Sequence, residues 1–378
     1  MLFNRAKGVL VLEDGSVFYG KSFGANKKVI GEVVFSTSMV GYPESLTDPS
    51  YNGQILTLTY PLVGNYGVPA YGRGEIPDCF ESDGIKAEGL IIHDLCDEPS
   101  HWTSGRTLDQ WLKDEGIPGI YGIDTRKLTK RLRERGVMRG VVQTLGEGEG
   151  PEIDGLYSEL RRADLEVPNL VEEVSIKTPL VYEGRGPTVV LIDYGVKLSI
   201  VRNLIRRGVR LVRIPFNASL EEVLSYRPSG VFLSNGPGDP KRCSEAVRCM
   251  EGLLETEIPI MGICLGSQIL ALAAGGDTYK LKYGHRAQNQ PVIELETGKG
   301  YITTQNHGYA IDHGSLSKTP FVASYINAND RTVEGISHQE KEVFAVQWHP
   351  EASPGPYETE FLFDRFMKAV RGEKINNA

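Results

Sequence analysis

At 378 residues the chain exceeds a typical single domain, so two domains are expected, each with its own core. Charged residues make up 24% and hydrophobic residues 40%, as in an ordinary globular chain. The net charge of −8 argues against broad phosphate-backbone binding, and no apolar run approaches the ~18 residues that cross a bilayer. The N-terminus MLFNRAKGVLVLEDG carries only the short apolar run Val9–Leu12, followed at once by acid, which is a poor secretion signal. The cysteines (Cys79, Cys96, Cys243, Cys249 and Cys264) form no CxxC pair. Neither a disulfide framework nor a zinc knuckle is expected, and a reducing cytoplasm suits the chain best.

Residues 1–150 are rich in glycine and β-branched side chains and read as a mainly β domain. Val9–Leu12 and Ser16–Gly20 form a hairpin around Asp14-Gly15, and QILTLTYP and AEGLIIHDL supply further short apolar runs. A helix is predicted over Thr125–Arg135, capped by Asp124 or Thr125, with Leu128 and Leu132 one turn apart and Gly136 as its stop. Its arginines and lysines read as a solvated face rather than a nucleic-acid surface. Residues 151–186 are expected to connect the two domains: an acidic glycine-rich run ends at Pro151, YSELRRADL is a short helical stretch, and SIKTPLVYEGRGP leads onward.

Residues 187–378 change pattern. TVVLIDYG, VRLVRIPF, GVFLSN and IPIMGI are buried-type strands alternating with helical segments, one of them through Cys243–Leu254. That alternation predicts an α/β domain, a mostly parallel sheet flanked by helices. Ligands in such folds sit beyond the carboxyl ends of the strands, so the residues just after the strands are the informative ones.

IPIMGI runs into Cys264, and LGSQILALAAGG continues as a helix. Gly262-Ile263-Cys264-Leu265-Gly266 is the G-x-nucleophile-x-G pattern of a sharp strand-to-helix turn, where glycines allow neighbouring elements to approach closely. A helix N-terminus favours the thiolate. The Leu265 N–H then points toward a developing oxyanion, and one such donor is worth about 10²–10³ in rate. His349-Pro350-Glu351 follows the strand-like EVFAVQW. An extended backbone, held so by Pro350, would place residues i and i+2 on one side, bringing the Glu351 carboxylate to the His349 imidazole. Ser234–Pro240 (SNGPGDP) is a turn able to present backbone N–H groups, and Gln268 lies one helical turn beyond Cys264. His307, in QNHGY, is assigned to a substrate loop. A metal site from His93, Cys96 and His101 matches no common zinc spacing, so no metal is expected.

Together GICLGSQ, HPE and SNGPGDP resemble the class I, triad-type glutamine amidotransferases. GYPESLTDPSYNGQILTLTYPLVGNYG, GIDTRKLTKRLRERG, QNHGY and HPEASPGP extend the resemblance over nearly the whole chain. They make it similar to the small, glutamine-hydrolysing subunits of carbamoyl phosphate synthetases. The resemblance implies that Cys264 attacks glutamine, that His349 transfers protons and that Glu351 orients it. It also implies that Ser50, Gly236, Gly238, Leu265, Gln268, Asn306, Gly308 and Tyr309 hold glutamine, with Gly236 and Leu265 at the oxyanion and Ser50 contributed by the first domain. A large partner subunit would bind ATP, Mg and bicarbonate, forming a heterodimer that feeds pyrimidine and arginine synthesis. No cofactor is expected in this chain, which lacks a GxxxxGK[ST] phosphate loop. Ser267, Tyr309 and Gln290 depart from residues common in the family, without touching the triad. The alternatives are the amidotransferase of an anthranilate or GMP synthetase, a stand-alone γ-glutamyl hydrolase and a non-catalytic scaffold. The N-terminal domain counts against the first and the intact triad against the last.

Overall fold

The computed structural model describes residues 7–70, 76–146, 148, 150–163 and 169–373. The chain divides into two compact units, residues 1–168 and 169–378. In the first, strands β1 (Lys7–Leu12), β2 (Val17–Gly24), β3 (Lys28–Ser36), β4 (Gln54–Leu58), β5 (Gly89–Ile91), β6 (Pro118–Tyr121) and β7 (Met138–Thr144) close into a barrel. Their order is β1-β7-β3-β4-β5-β6-β2. The expected hairpin is present: β1 and β2 pair antiparallel, and Gly15, at φ 82°, donates to the Leu12 carbonyl at 2.9 Å. Its side chain-free backbone makes that left-handed turn inexpensive.

Helix α1 (Thr125–Arg135) matches its predicted span. Asp124 accepts a hydrogen bond from the Lys127 N–H at 2.8 Å, Leu128 and Leu132 are buried, and the Gly136 N–H closes the last turn on Leu132. Its basic residues Arg126, Lys127, Lys130, Arg133 and Arg135 are exposed.

The segment expected to connect the domains is divided between them. Helix α2 (Ile153–Arg162) starts four residues earlier than the sequence suggested and buries Leu156 and Leu160 against Val9, Val11 and Val141 of the barrel. Its apolar stripe has a barrel wall to cover, and that burial makes it part of the first unit. Residues 164 and 165 of the expected stretch lie outside the described residues.

The second unit holds a ten-stranded sheet. Its strands are β8 (Leu180–Tyr182), β9 (Thr188–Asp193), β10 (Arg210–Pro215), β11 (Gly230–Leu233), β12 (Ile260–Ile263), β13 (Thr278–Glu294), β14 (Gly300–Ile311), β15 (Phe321–Asn327), β16 (Val333–His338) and β17 (Val343–Val346). The order is β8-β10-β9-β11-β12-β17-β16-β14-β13-β15, with β15 also pairing β16. The run β10-β9-β11-β12-β17 is parallel, as the apolar runs predicted. Its three strands β11, β12 and β17 are buried along their whole length.

Beyond that run the sheet is antiparallel, through β8 at one end and β16, β14, β13 and β15 at the other. This half escapes a reading based on apolar runs, because β13 begins with exposed residues such as Lys280 and Lys282, keeps no regular alternation and is interrupted by two register shifts. Helices α3 (Leu198–Arg206), α4 (Ser244–Leu254), α5 (Leu265–Ala273) and α6 (Phe361–Val370) flank the sheet. Phe363 and Phe366 of α6 lie on Phe232 of β11, with ring centroids 5.7 and 5.5 Å away.

The place of α2 is testable. Leu160→Ala should cost about 2–5 kcal/mol in urea unfolding, as for other buried leucines. A change within about 0.5 kcal/mol, the usual figure for an exposed linker position, would show that α2 is no part of the barrel unit.

Candidate active site

Strand β12 ends at Ile263, Cys264 caps the helix, and α5 begins at Leu265. Cys264 takes φ 54° and ψ −108°, a backbone a side chain-bearing residue adopts only under strain, of order 1–3 kcal/mol. The neighbouring hydrogen bonds over-determine it: the Cys264 N–H donates to Val346 O at 2.9 Å and the Gly266 N–H to Ser234 O at 3.0 Å. The glycines are there for space. A Cβ on Gly266 would stand 2.6 Å from the Leu233 carbonyl, and one on Gly262 would lie 3.0 Å from the Gly266 backbone. The thiol itself reaches the Asn306 carbonyl, 3.8 Å from Sγ.

His349 and Glu351 meet as expected, with Nδ1 of the imidazole 2.6 Å from Oε1 of the carboxylate, both buried. The route differs from the extended segment predicted. The Ala352 N–H donates to the His349 carbonyl at 3.2 Å, closing a turn that folds the carboxylate back onto the ring. The His349 N–H donates to Thr304 O at 2.9 Å, tying the turn to β14.

Lys197, which the sequence reading overlooked, is the third member of this chain. Its Nζ lies 2.9 Å from Glu351 Oε1, with side-chain exposures of 3% and 0%. Its N–H donates to Asn235 Oδ1 at 3.0 Å, which anchors it to the SNGPGDP turn. The available signal was position: Lys197 is a cation immediately following a buried parallel strand, where ligand-binding residues collect.

The electrostatics follow from these contacts. Burial favours the neutral form of Glu351, but Lys197 and then His349 outweigh it and hold the carboxyl below its usual range. Burial disfavours the charged imidazole of His349, yet the Glu351 carboxylate outweighs this and raises its pKa, against an opposing push from Lys197. The Cys264 side chain adds to the rise. His349 Nε2 is buried and makes no aligned hydrogen bond, so this nitrogen is available to the thiol and to a reacting group. Glu351 pairs with Nδ1, leaving Nε2 as the ring nitrogen that the carboxylate does not engage.

The remaining expected residues divide by unit. Gly236 lies against the start of α5: a Cβ there would meet Leu265 Cδ2 at 2.9 Å and Tyr194 O at 2.2 Å. Leu265 is the first helical residue, whose N–H has no acceptor within the helix. Gly238 takes φ 89° in the same turn. Gln268 Nε2 donates to Tyr309 O at 2.9 Å and to Gln347 Oε1 at 3.0 Å, joining α5 to β14 and to the residues before His349. Asn306, Gly308 and Tyr309 belong to β14, so the segment expected as a substrate loop is a strand, paired with β13 at Arg286↔Asn306 and Lys280↔Tyr309. Ser50 belongs to the first unit, where it is buried in the short helix Pro49–Tyr51 with its N–H on Asp48 Oδ1 at 2.9 Å. His93 Nδ1 lies 3.0 Å from Ile123 O and His101 Nδ1 2.7 Å from Thr103 Oγ1. Among the described residues, the His/Cys/Asp/Glu group whose ligand atoms converge is instead His285, His307 and Glu334, within 4.8 Å of one another.

The geometry is that of a cysteine nucleophile with a histidine–carboxylate pair, on an α/β sheet. Residues 190–369 match the family described as glutamine amidotransferase class-I, which defines the class of the second unit. Residues 10–142 match the carbamoyl-phosphate synthase small chain, CPSase domain. A carbamoyl phosphate synthase small chain of Pyrococcus furiosus is 50% identical over 373 residues, covering 97% of this chain and 99% of its own. Small chains of Fusobacterium nucleatum (47% identical; 98% of this chain, 99% of the relative) and Listeria monocytogenes (48%; 97% and 98%) are similar over the same extent. The chain belongs to the carbamoyl phosphate synthase small chain family, and its enzymatic class is the glutamine-hydrolysing amidotransferase subunit of that synthase.

The buried pair carries a pH signature. The raised pKa of His349 contributes stability that is complete below its ordinary 6.5 and is lost as pH rises through the folded value. The lowered pKa of Glu351 contributes stability present above its ordinary 4.5 and lost as pH falls through the folded value. Thermal unfolding followed from pH 5 to 9 should therefore show a falling melting temperature above about 6.5. His349→Asn should flatten that fall, and an unchanged slope would exclude a charged His349 in the folded chain.

Proposed function

We propose that Cys264, His349 and Glu351 hydrolyse L-glutamine to glutamate and ammonia, and that the ammonia passes to a large chain that makes carbamoyl phosphate from bicarbonate and ATP. The observation that carries the residue roles is the 2.6 Å contact between His349 Nδ1 and Glu351 Oε1 beside the strained Cys264 turn. The carboxylate favours the imidazolium, so His349 can take the thiol proton as the sulfur attacks. Cys264 Sγ attacks the carboxamide carbon. The developing oxyanion takes hydrogen bonds from the Gly236 and Leu265 N–H groups. His349 gives its proton to the departing ammonia, leaving a γ-glutamyl thioester. The imidazole then takes a proton from water, which attacks the thioester carbon. Collapse of that adduct releases glutamate and returns the proton to the Cys264–His349 pair.

Glutamine is held by Gln268, Asn306, Gly308 and Tyr309 and by the Gly236–Gly238 turn, with Ser50 a further contact proposed on resemblance. Lys197 keeps Glu351 ionised while His349 cycles between its forms. The partner is a large subunit holding ATP, Mg and bicarbonate, this chain itself holding no cofactor, and the ammonia must travel shielded from water to avoid protonation. The pathways served are pyrimidine and arginine synthesis, in the cytoplasm. No helix of the described residues is long and apolar enough to cross a membrane.

The test is glutamate release by the purified chain, alone and with a large chain, ATP and bicarbonate. Cys264→Ser should abolish glutamine use while leaving ammonia-dependent carbamoyl phosphate synthesis. His349→Asn should be nearly as damaging. Glu351→Gln should be milder because it orients rather than transfers a proton. Glutamate release retained by Cys264→Ser would sink the nucleophile assignment, and a mild effect of His349→Asn would mean that another residue is the base.

A further inference from the structure

Behind β14 lies a second buried charge cluster that the triad does not use. His285 of β13 sits with Nε2 2.8 Å from Asp330 Oδ2, at the half-exposed end of the cluster, and Nδ1 3.3 Å from Glu334 Oε1. The inner contact is an ion-pair distance without hydrogen-bond alignment, and Nδ1 is buried. Glu334 is fully buried and takes hydrogen bonds from three other side chains: Gln305 Nε2 at 3.0 Å, Thr332 Oγ1 at 3.2 Å and Asn327 Nδ2 at 3.3 Å. One carboxylate therefore gathers groups from β13, β14, β15 and β16 and from the turn before β16.

Two further links run from this hub to the catalytic groups. The Glu334 carbonyl accepts the Gln347 N–H at 2.7 Å, two residues before His349. Gln305 Oε1 lies 3.2 Å from His307 Nε2, while the other His307 nitrogen, Nδ1, lies 2.8 Å from the Tyr309 carbonyl. Asn306, between Gln305 and His307, is the residue whose carbonyl meets the Cys264 thiol.

We infer that His285 and Glu334 are positioning residues: their buried ion pair holds Gln305 and His307, and thereby fixes the Asn306–Tyr309 strand that lines the glutamine site. This rests on the assignment of that strand as a glutamine contact. The charge matters because His285 is the cation that the structure places against the Glu334 carboxylate. An uncompensated carboxylate here is costly, and β14 would shift to relieve it. The groups facing His285 are Asp330, Glu334, the edge of His307 at a ring separation of 4.9 Å, and, through the electrostatics of His307, Arg286. Burial pushes His285 toward its neutral form, but its contacts with the Asp330 and Glu334 carboxylates outweigh this and raise it to about 9. His307 is pushed the other way by burial and by charged His285, and as the neutral ring it donates to only one of the two oxygens it faces, Tyr309 O or Gln305 Oε1.

His307 faces Tyr309 O and Gln305 Oε1 through its two ring nitrogens and Glu334 accepts three side-chain hydrogen bonds, so His285 Nδ1 is the buried ring nitrogen of this group that makes no hydrogen bond. The experiment measures glutamine affinity by calorimetry in the Cys264→Ser full-length chain, which binds without turnover. It is repeated with Glu334→Gln, with His285→Gln and with both. Each single change should weaken binding about tenfold or more, and the double change should recover most of that loss because no lone buried charge remains. Binding by the Glu334→Gln chain should recover from about pH 6.5 upward, where His285 sheds its uncompensated charge, while the parent stays flat to near pH 9.

Simple additivity of the two losses, or a pH-independent Glu334→Gln, would reduce the pair to packing and overturn the inference. So would one equivalent of zinc in the purified parent by elemental analysis. Should the buried variants fail to fold, Asp330→Asn at the half-exposed end should weaken binding in the same direction and shift its pH dependence downward; no change there counts against the inference. Glutamate release by the unmodified chain is measured alongside. Its absence would fault the glutaminase assignment, whereas release with unaltered glutamine affinity in the variants would fault only the role of the pair.

Discussion

The carboxylate of Glu351, buried and contacted on one oxygen by both Lys197 and His349, is the interaction on which the site depends. A lone carboxylate at that depth would take up a proton, because the interior cannot solvate its charge. Lys197 removes that option. With the charge secured, His349 is held in one tautomer and its other nitrogen is turned toward Cys264. Each of the three comes from a different stretch of chain, and each stretch follows a parallel strand: β9 before Lys197, β12 before Cys264 and β17 before His349. The sheet delivers them to a common end because parallel strands finish on the same side. The SNGPGDP turn after β11 joins them there through Asn235, which holds the Lys197 N–H.

The antiparallel half does a different job. Asn306, Gly308 and Tyr309 stand on β14, and β14 takes its place from side-chain hydrogen bonds as much as from its ladder. Gln268 ties it to α5, and Glu334 ties it through Gln305 to β16. The wall facing Cys264 is thus fixed by groups whose own positions depend on buried charge, in contrast to the apolar packing that fixes β11 and β12. Two kinds of rigidity meet at Cys264, one from close-packed hydrocarbon and one from compensated charge.

Much of this was legible in the residues, for reasons that differ by element. The strands β9 to β12 were readable because a strand covered on both faces has to be apolar throughout, and no other short element has that composition. The Cys264 turn was readable because glycine spacing reports steric need, which the 2.6 Å approach at Gly266 bears out. The pairing of His349 with Glu351 was also anticipated, although by the wrong backbone: proximity in sequence permitted the contact, and a turn rather than an extended segment made it. Lys197 was missed because its partner is more than a hundred residues away and nothing local marks a lysine as buried. The boundary segment misled for a related reason. An amphipathic helix of ten residues looks alike whether it spans two domains or covers one, and only the apolar surface of Val9, Val11 and Val141 decides which. The β13–β14 pair went unread because exposed lysines and register shifts interrupt its alternation.

The way the sheets end has a consequence for colloidal behaviour. The barrel closes on itself, and in the second unit β15 pairs β16 along most of its length but meets β13 only at Val292–Glu294. At the other end of the sheet stands β8, three residues long, with Leu180 and Val181 about half exposed. Recruitment of a foreign strand needs a run of unpaired backbone groups, and three residues offer too few to hold one. At that end of the sheet, edge-to-edge polymerisation of the folded chain is thus disfavoured.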